Sequence, residues 1–277
     1  MALCCLGQPQ GEVVPCNGVG KPRVEMKMNQ SAARSVALVM LLMLAACGGG
    51  GGGDASDSGQ GQVGAGDDTT TTTPGTGTTL SATHTGEGTF YGATGQGNCS
   101  FDASPGNLMV AAMNQTDYAG SAACGEFVQV TGPKGTVTVR ITDRCPECKP
   151  GDIDLSEQAF AKIADPVAGR VPISWQVVAG DVSGPVAYRY KEGSTRFWVA
   201  IQVRNHRLPI TALDIKPSGS TAWITVERLE YNYFVYPAAI AAGPVEVRVT
   251  ALGGATLLET LPEPQGGLVV QGSAQFP

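Results

Sequence analysis

Alternating apolar and polar positions are the dominant pattern along the chain, and they predict strands. From Phe127 to Asp143 the stretch FVQVTGPKGTVTVRITD holds two such runs around Gly132-Pro133-Lys134-Gly135, which reads as strand, turn, strand. Val137, Val139 and Ile141 share one face, and the same period of two carries Asp143 to that inward side at the strand end. A carboxylate there must find partners or shift its pKa, so Asp143 is a candidate functional group; turn initiation before Cys145-Pro146 is the alternative. The next stretch, PGDIDLSEQAFAKIAD, changes period. Ser156 is a good helix N-cap, and Leu155 with Phe160 stands at staple spacing for a short helix. Asp154 then lies just outside the helix start, near its free backbone donors, and is a second candidate carboxylate. Asp152 reads as loop-like and solvated.

Beyond Gly184 the alternation returns. Val199, Ile201 and Val203 form one face and Trp198, Gln202 and Arg204 the other, and Val245, Val247 and Val249 repeat the device after Gly243-Pro244. Short strands with turn signals at this spacing predict a small antiparallel sandwich. Parity turns Trp198 away from the core, where an open indole offers a flat apolar plate to the C–H face of a sugar ring, and puts Phe197 inside with Val199. Trp223 reads as packing, and His206, in a polar turn with Arg204, Asn205 and Arg207, as a surface hydrogen-bonder.

The N-terminal part has no such alternation. Around Met26, MKMNQSAARSVALVMLLMLAACGGG has a basic start (Lys27, Arg34) and an apolar run from Val36 to Ala46, too short to cross a bilayer core of about 30 Å. Residues 26–47 therefore read as an export signal. Leu44-Ala45-Ala46-Cys47 resembles a bacterial lipobox, which implies cleavage before Cys47, a lipid anchor on its sulfur and, with Gly48 following, an outer-membrane destination in a two-membrane cell. Ordinary secretion at the same small residues is the alternative. Residues 1–25 read as a mis-assigned upstream extension, and 48–85, rich in Gly and Thr, as a disordered tether that cannot bury enough apolar surface to offset its entropy.

Composition narrows the chemistry. The chain has 277 residues, 42% of them hydrophobic and 15% charged, with a net charge of −6 and no basic stripe, so nucleic acid is not an expected partner. With only two histidines, His84 and His206, zincin and Ser-His-Asp chemistries are poor fits. Cys99, Cys124, Cys145 and Cys148 lie together in the first domain, and export permits disulfides, in any of three pairings. A zinc site, or redox use of Cys145-Pro146-Glu147-Cys148, is the rival reading. Neither a cofactor nor a metal is expected.

Three segments then resemble the first domain of expansins: GTFYG at Gly88 to Gly92, Ile141-Thr142-Asp143, and Asp154-Leu155-Ser156. Two more resemble the second domain: YRYKEGSTRFWVAIQVRNHRLPI from Tyr188 to Ile210, and LEYNYFV from Leu229 to Val235. The ordered set covers essentially all of residues 86–277. It implies an all-β protein, with a six-stranded double-psi β-barrel and a short helix over 86–181, followed by an immunoglobulin-like β-sandwich over 184–277.

The implied activity is nonhydrolytic loosening of plant-type cell walls, by binding cellulose and disturbing noncovalent glucan contacts. Carried over by position, Thr89, Asp143 and Asp154 line the barrel groove, with Asp154 the indispensable acid. Phe197, Trp198 and Tyr231 form the aromatic row on the sandwich, with Lys191 beside them. Bacterial expansins commonly place a Tyr where this chain has Cys145, so Tyr91 is the substitute aromatic contact. An inverting glycosidase needs an acid and a base about 6.5–9.5 Å apart. Related barrel endoglucanases take that base from the first strand, where TFYGATG offers no carboxylate and Asp143 is the nearby substitute. The alternatives are an endoglucanase or peptidoglycan lytic transglycosylase, and a cellulose-binding surface adhesin. Expected partners are cellulose and its matrix polysaccharides, with peptidoglycan as the alternative, and a membrane through Cys47 alone; a monomer is expected.

Overall fold

Two sets of strands, each with its own apolar core, account for the fold. The computed structural model describes residues 78–277, so the expected extension, signal segment, Cys47 and most of the tether lie outside the described residues. The first set comprises β1 (His84–Tyr91), β2 (Val110–Asn114), β3 (Phe127–Gly132), β4 (Gly135–Cys145), β5 (Ile153–Ser156) and β6 (Val171–Val178). It closes into a barrel in the order β1-β5-β2-β4-β3-β6, with β1–β5 and β2–β4 parallel and the other pairs antiparallel. Val128, Val130, Val139, Ile141, Ile153 and Leu155, all fully buried, fill the interior. A short helix α1 (Gln115–Tyr118) follows β2, and α2 (Glu157–Ile163) begins where the sequence predicts: Ser156 Oγ accepts a hydrogen bond from Ala159 N at 3.0 Å, and Phe160 and Ile163 are buried.

The second set comprises β7 (Ala187–Tyr190), β8 (Val199–Arg204), β9 (Ile210–Pro217), β10 (Ile224–Leu229), β11 (Tyr233–Tyr236), β12 (Val245–Ala251), β13 (Thr256–Leu261) and β14 (Val269–Gln271). Its order is β13-β12-β9-β10-β11-β8-β7-β14. Strand β10 turns from one layer into the other, pairing β9 through Ile224–Val226 and β11 through Glu227–Leu229. The inward residues of both layers, among them Val199, Ile201, Val203, Val245, Val247 and Val249, form one core, as the alternation predicts. The fold is thus an all-β double-psi barrel followed by a sandwich.

Barrel and sandwich belong to one compact unit, and a polar junction joins them. Gln202 is on the outer face of β8, as parity requires, yet it is fully buried because the barrel covers it: its Nε2 donates to Cys99 O at 2.9 Å. Arg204 pairs with Asp102 at 2.6 Å, and Tyr118 donates its hydroxyl proton to Glu230 O at 2.7 Å.

Three readings need correction here. The end of the segment read as tether belongs to the fold: Thr79 bridges Val178, Leu80 packs against both cores, and β1 begins at His84. His206 is buried, 4% exposed, with Nδ1 bonded to Leu208 O, and burial holds its pKa down to about 4. Asp152 is not solvated; it accepts from Glu87 N at 2.8 Å and Lys149 N at 3.2 Å, pinning the β4–β5 loop to β1.

Candidate functional site

The two candidate carboxylates reach one face of the barrel by a device that parity alone does not anticipate. Between β2 and β4 the register shifts: Ala111 pairs Ile141, but Ala112 pairs Asp143. Thr142 is therefore an extra, bulged residue, and both Ile141 and Thr142 are fully buried. The bulge reverses the alternation, so Asp143 does not point inward as the period of two implies; it shares the outer face with Ala112. Ala112 also pairs Asp154, and Asp154 pairs Thr89. A single row, Thr89–Asp154–Ala112–Asp143, thus crosses four adjacent strands. The two aspartates sit two strand spacings, about 10 Å, apart at the backbone, with a small side chain between them.

Their environments differ. Asp154 accepts a hydrogen bond from Thr89 Oγ1 at 2.6 Å, which leaves Oδ2 without a protein partner among the described residues. Burial raises its pKa, helped by the charges of Glu147 and Asp143 and opposed by the Thr89 bond and Arg170. Asp143 accepts from two backbone N–H groups, Asn98 at 2.7 Å and Arg144 at 2.8 Å. Tyr91 lies two residues beyond Thr89 on the same strand. Its hydroxyl is buried and makes no hydrogen bond among the described residues, and burial, with the charges of Asp143 and Asp154, raises its pKa. Only the half-buried ring of Tyr91, not its hydroxyl, faces solvent.

A cavity of about 440 Å³ opens over Asp154 and Thr89. Glu87, Glu147, Lys149 and Arg170 also line it, and sequence reasoning missed all four as groove residues. Glu147 rides on the loop closed by the Cys145–Cys148 disulfide and Lys149 directly follows it, and the C-P-E-C spacing was the available signal. The second disulfide, Cys99–Cys124, ties the β1–β2 loop to the segment before β3. Of the three open pairings the structure contains this one, which removes these thiols from zinc binding. Among the described residues no cluster of three metal-ligating side chains occurs.

On the sandwich, Thr195 and Trp198 exchange backbone hydrogen bonds of 3.0 and 3.1 Å around a tip made by Arg196 and Phe197. Phe197 is consequently 61% exposed, not inside, because β8 begins only at Val199 and its parity does not extend back into the turn. Trp198 and Tyr231 are half-buried on the outer cluster of Ala200, Tyr233 and Val235. Lys191 Nζ stands 5.9 Å from the Tyr231 ring and 5.6 Å from that of Tyr233. Trp198, Tyr231 and Lys191 therefore share one outer face, and Phe197 stands exposed on the turn next to Trp198. Trp223 lies between Lys216 and Arg248, whose cationic groups stand 5.1 and 4.8 Å from its ring.

An acid-bearing barrel groove joined to a sandwich with an outward aromatic face defines a two-part, all-β class of protein. Residues 85–175 match a domain family described as lytic transglycolase. The chain is 38% identical over 205 residues to Expansin-YoaJ of Bacillus subtilis, covering 71% of this chain and 85% of that one. It is 27% identical over 201 residues to Expansin-B3 of Arabidopsis thaliana, covering 66% and 76%. The crystal structure of apo expansin from Clavibacter michiganensis superposes with a TM-score of 0.65 at 38% identity, covering 70% of this chain and 98% of that one. A mutant of that expansin in complex with cellohexaose gives 0.66 at 37% identity, with the same coverage. The chain belongs to the expansin family.

Proposed function

We propose that this protein loosens cellulose-containing walls without net hydrolysis, holding glucan on the aromatic face while the groove competes for its hydroxyls. One observation carries the reading: the first-strand partner of Asp154 is Thr89, a hydroxyl that donates to the acid at 2.6 Å. A hydrolase of this geometry needs a base in that place to activate water. Asp154, kept more readily protonated by burial, still has an oxygen free to exchange hydrogen bonds with a glucan hydroxyl. The cellohexaose complex of the Clavibacter relative supports a glucan as the ligand. The family membership supports export; the anchor at Cys47 rests on Leu44-Ala45-Ala46-Cys47 alone, and action as a monomer is part of the same proposal.

Glycan cleavage, endoglucanase or lytic transglycosylase, is the second reading. The domain match over residues 85–175 favours the transglycosylase form, in which Asp154 serves as the sole acid. The deciding experiment is extension of heat-killed wall strips under constant load, with the bath assayed for reducing and anhydro ends. Extension without new ends, lost in Asp154→Asn, is the expected result. Steady release of either kind of end overturns it in favour of cleavage, and binding without extension leaves an adhesin.

A further inference from the structure

We infer that a second cavity, at the back of the barrel–sandwich junction, binds a neutral pyranose end or branch of a matrix polysaccharide. This rests on the polysaccharide reading above and extends it to a site outside the groove. The cavity measures about 520 Å³, within the range of about 300–1,000 Å³ typical of small-ligand sites. Arg140 and Thr138 of β4, Asn107 of the loop before β2, Phe127 of β3 and Asp181 of the barrel–sandwich connection contribute to its wall. The segment Asn98–Asp102 runs along β4 between cavity and groove: Asn98 N holds Asp143 at one end, and Phe101 lies under the Arg140 guanidinium at the other, 4.7 Å from Cζ. That segment is docked on the sandwich through Cys99 O and Asp102. The cavity is therefore a separate concavity and not a continuation of the groove, and it suits a chain end or branch better than a running chain.

Charge and donor count specify the occupant. Among the described residues neither Arg140 nor Asp181 has an ion-pair partner or a side-chain hydrogen bond, although burial already disfavours the charge on Arg140. One guanidinium, a pure donor, and one carboxylate, a pure acceptor, thus line the same space unspent. A simple anion would meet Asp181 and a simple cation Arg140, whereas a sugar's hydroxyls accept from one and donate to the other. Asn107 adds a donor, since its Oδ1 is already taken by Met109 N at 3.0 Å and its amide N–H groups remain. Phe127 supplies an apolar wall, its ring fixed against Gly180, where a Cβ would stand 2.2 Å from a ring carbon.

The test is calorimetric titration of the full chain with three probes: cellohexaose, a cello-oligosaccharide carrying neutral xylose and galactose branches, and a xylo-oligosaccharide carrying glucuronic acid. The neutral branched probe is expected to bind about fivefold or more tightly than its unbranched backbone. Arg140→Gln and Asp181→Asn should each remove that gain while cellohexaose affinity stays unchanged. Asp181 is exposed, so its variant keeps the test valid if Arg140→Gln does not fold. No gain from branching, or a gain that survives both variants, overturns the inference while cellohexaose binding leaves the polysaccharide reading standing. Preferential binding of the glucuronic acid probe, abolished by salt, overturns it in favour of an acid site. Failure of all three probes overturns both readings.

Discussion

Glu126 offers a sharp test of the junction, because its carboxyl is buried with no counter-ion at bonding distance among the described residues. It is 9% exposed and lines a junction cavity with Arg228 and Asp117. The Arg228 guanidinium is committed elsewhere: it donates to Ser121 O at 3.0 Å, Ala122 O at 3.2 Å and Ile210 O at 2.6 Å. Burial therefore outweighs the attraction of Arg228, Asp117 adds repulsion, and the Glu126 pKa is pushed up to about 8 from 4.5. A raised carboxyl contributes stability that is fully present below pH 4.5 and is lost as pH rises through about 8, since only the unfolded chain gives up its proton in that window. Arg228, pulled down to about 10 by burial, stays charged throughout. Each pH unit then removes up to about 1.4 kcal/mol, and the whole window on the order of 5 kcal/mol. Glu126→Gln does not titrate, so it should match the parent near pH 4.5 and become increasingly more stable towards pH 8, read by urea denaturation at stepped pH. His206 acts in the opposite direction: its depressed pKa gives stability that is present above 6.5 and lost as pH falls towards about 4. That loss is common to both proteins and cancels in their difference. A difference that stays flat from pH 4.5 to 8 refutes the argument.

Trp198→Ala should weaken binding to insoluble cellulose by about 1–2 kcal/mol, roughly five- to thirtyfold in a depletion isotherm, and wall extension should fall with it. Asp154→Asn should abolish extension yet leave that isotherm unchanged; equal loss of both would mean the groove is part of the binding face. Because burial raises the Asp154 pKa, extension that requires its proton should persist above the ordinary carboxyl range and decline only as pH rises further, a profile measurable on wall strips. Loop length separates the disulfides, with sequence separations of 25 and 3. Replacing Cys99 and Cys124 by Ser should cost about 3–4 kcal/mol, against about 1–2 kcal/mol for Cys145 and Cys148, as read from denaturant midpoints.

What the sequence disclosed and what it hid divide by range. The strands Phe127–Gly132 and Gly135–Cys145, the cap at Ser156 and the inward faces of Val199 and Val245 depend on neighbours one to four residues away, and the chain states them directly. Asp143 was identified as a candidate but with the wrong facing, because a bulge is defined by the partner strand, and nothing in Ile141-Thr142-Asp143 announces that Thr142 is the extra residue. Phe197 failed for a local reason, a strand period extended into a turn, and its exposure was legible only through the family resemblance. His206, Asp152 and Gln202 were beyond reach: each is polar in sequence, and each is buried by backbone that arrives from more than one element.

The same long-range contacts bear on how groove and aromatic face act together. Glu230, Tyr231 and Asn232 are consecutive, yet they alternate in allegiance. Glu230 O accepts from Asn98 Nδ2 and from the Tyr118 hydroxyl, Tyr231 stands on the aromatic face, and Asn232 Nδ2 donates to Cys99 O. Asn98 in turn gives its backbone N–H to Asp143. The turn that presents one aromatic is thus bonded on both sides to the loop that orients one groove carboxylate, and Cys99–Cys124 ties that loop into the barrel. A left-handed φ of 63° at Asn232, a residue that tolerates it, lets the turn reverse tightly enough to make both contacts. Tyr231 is therefore coupled to the barrel through hydrogen bonds, in addition to the chain connection near Asp181. On the proposed reading, in which a polymer is loosened without being cut, this coupling keeps the aromatic anchor fixed relative to the groove while hydrogen bonds exchange there, so that exchange can shift a strand against a steady hold.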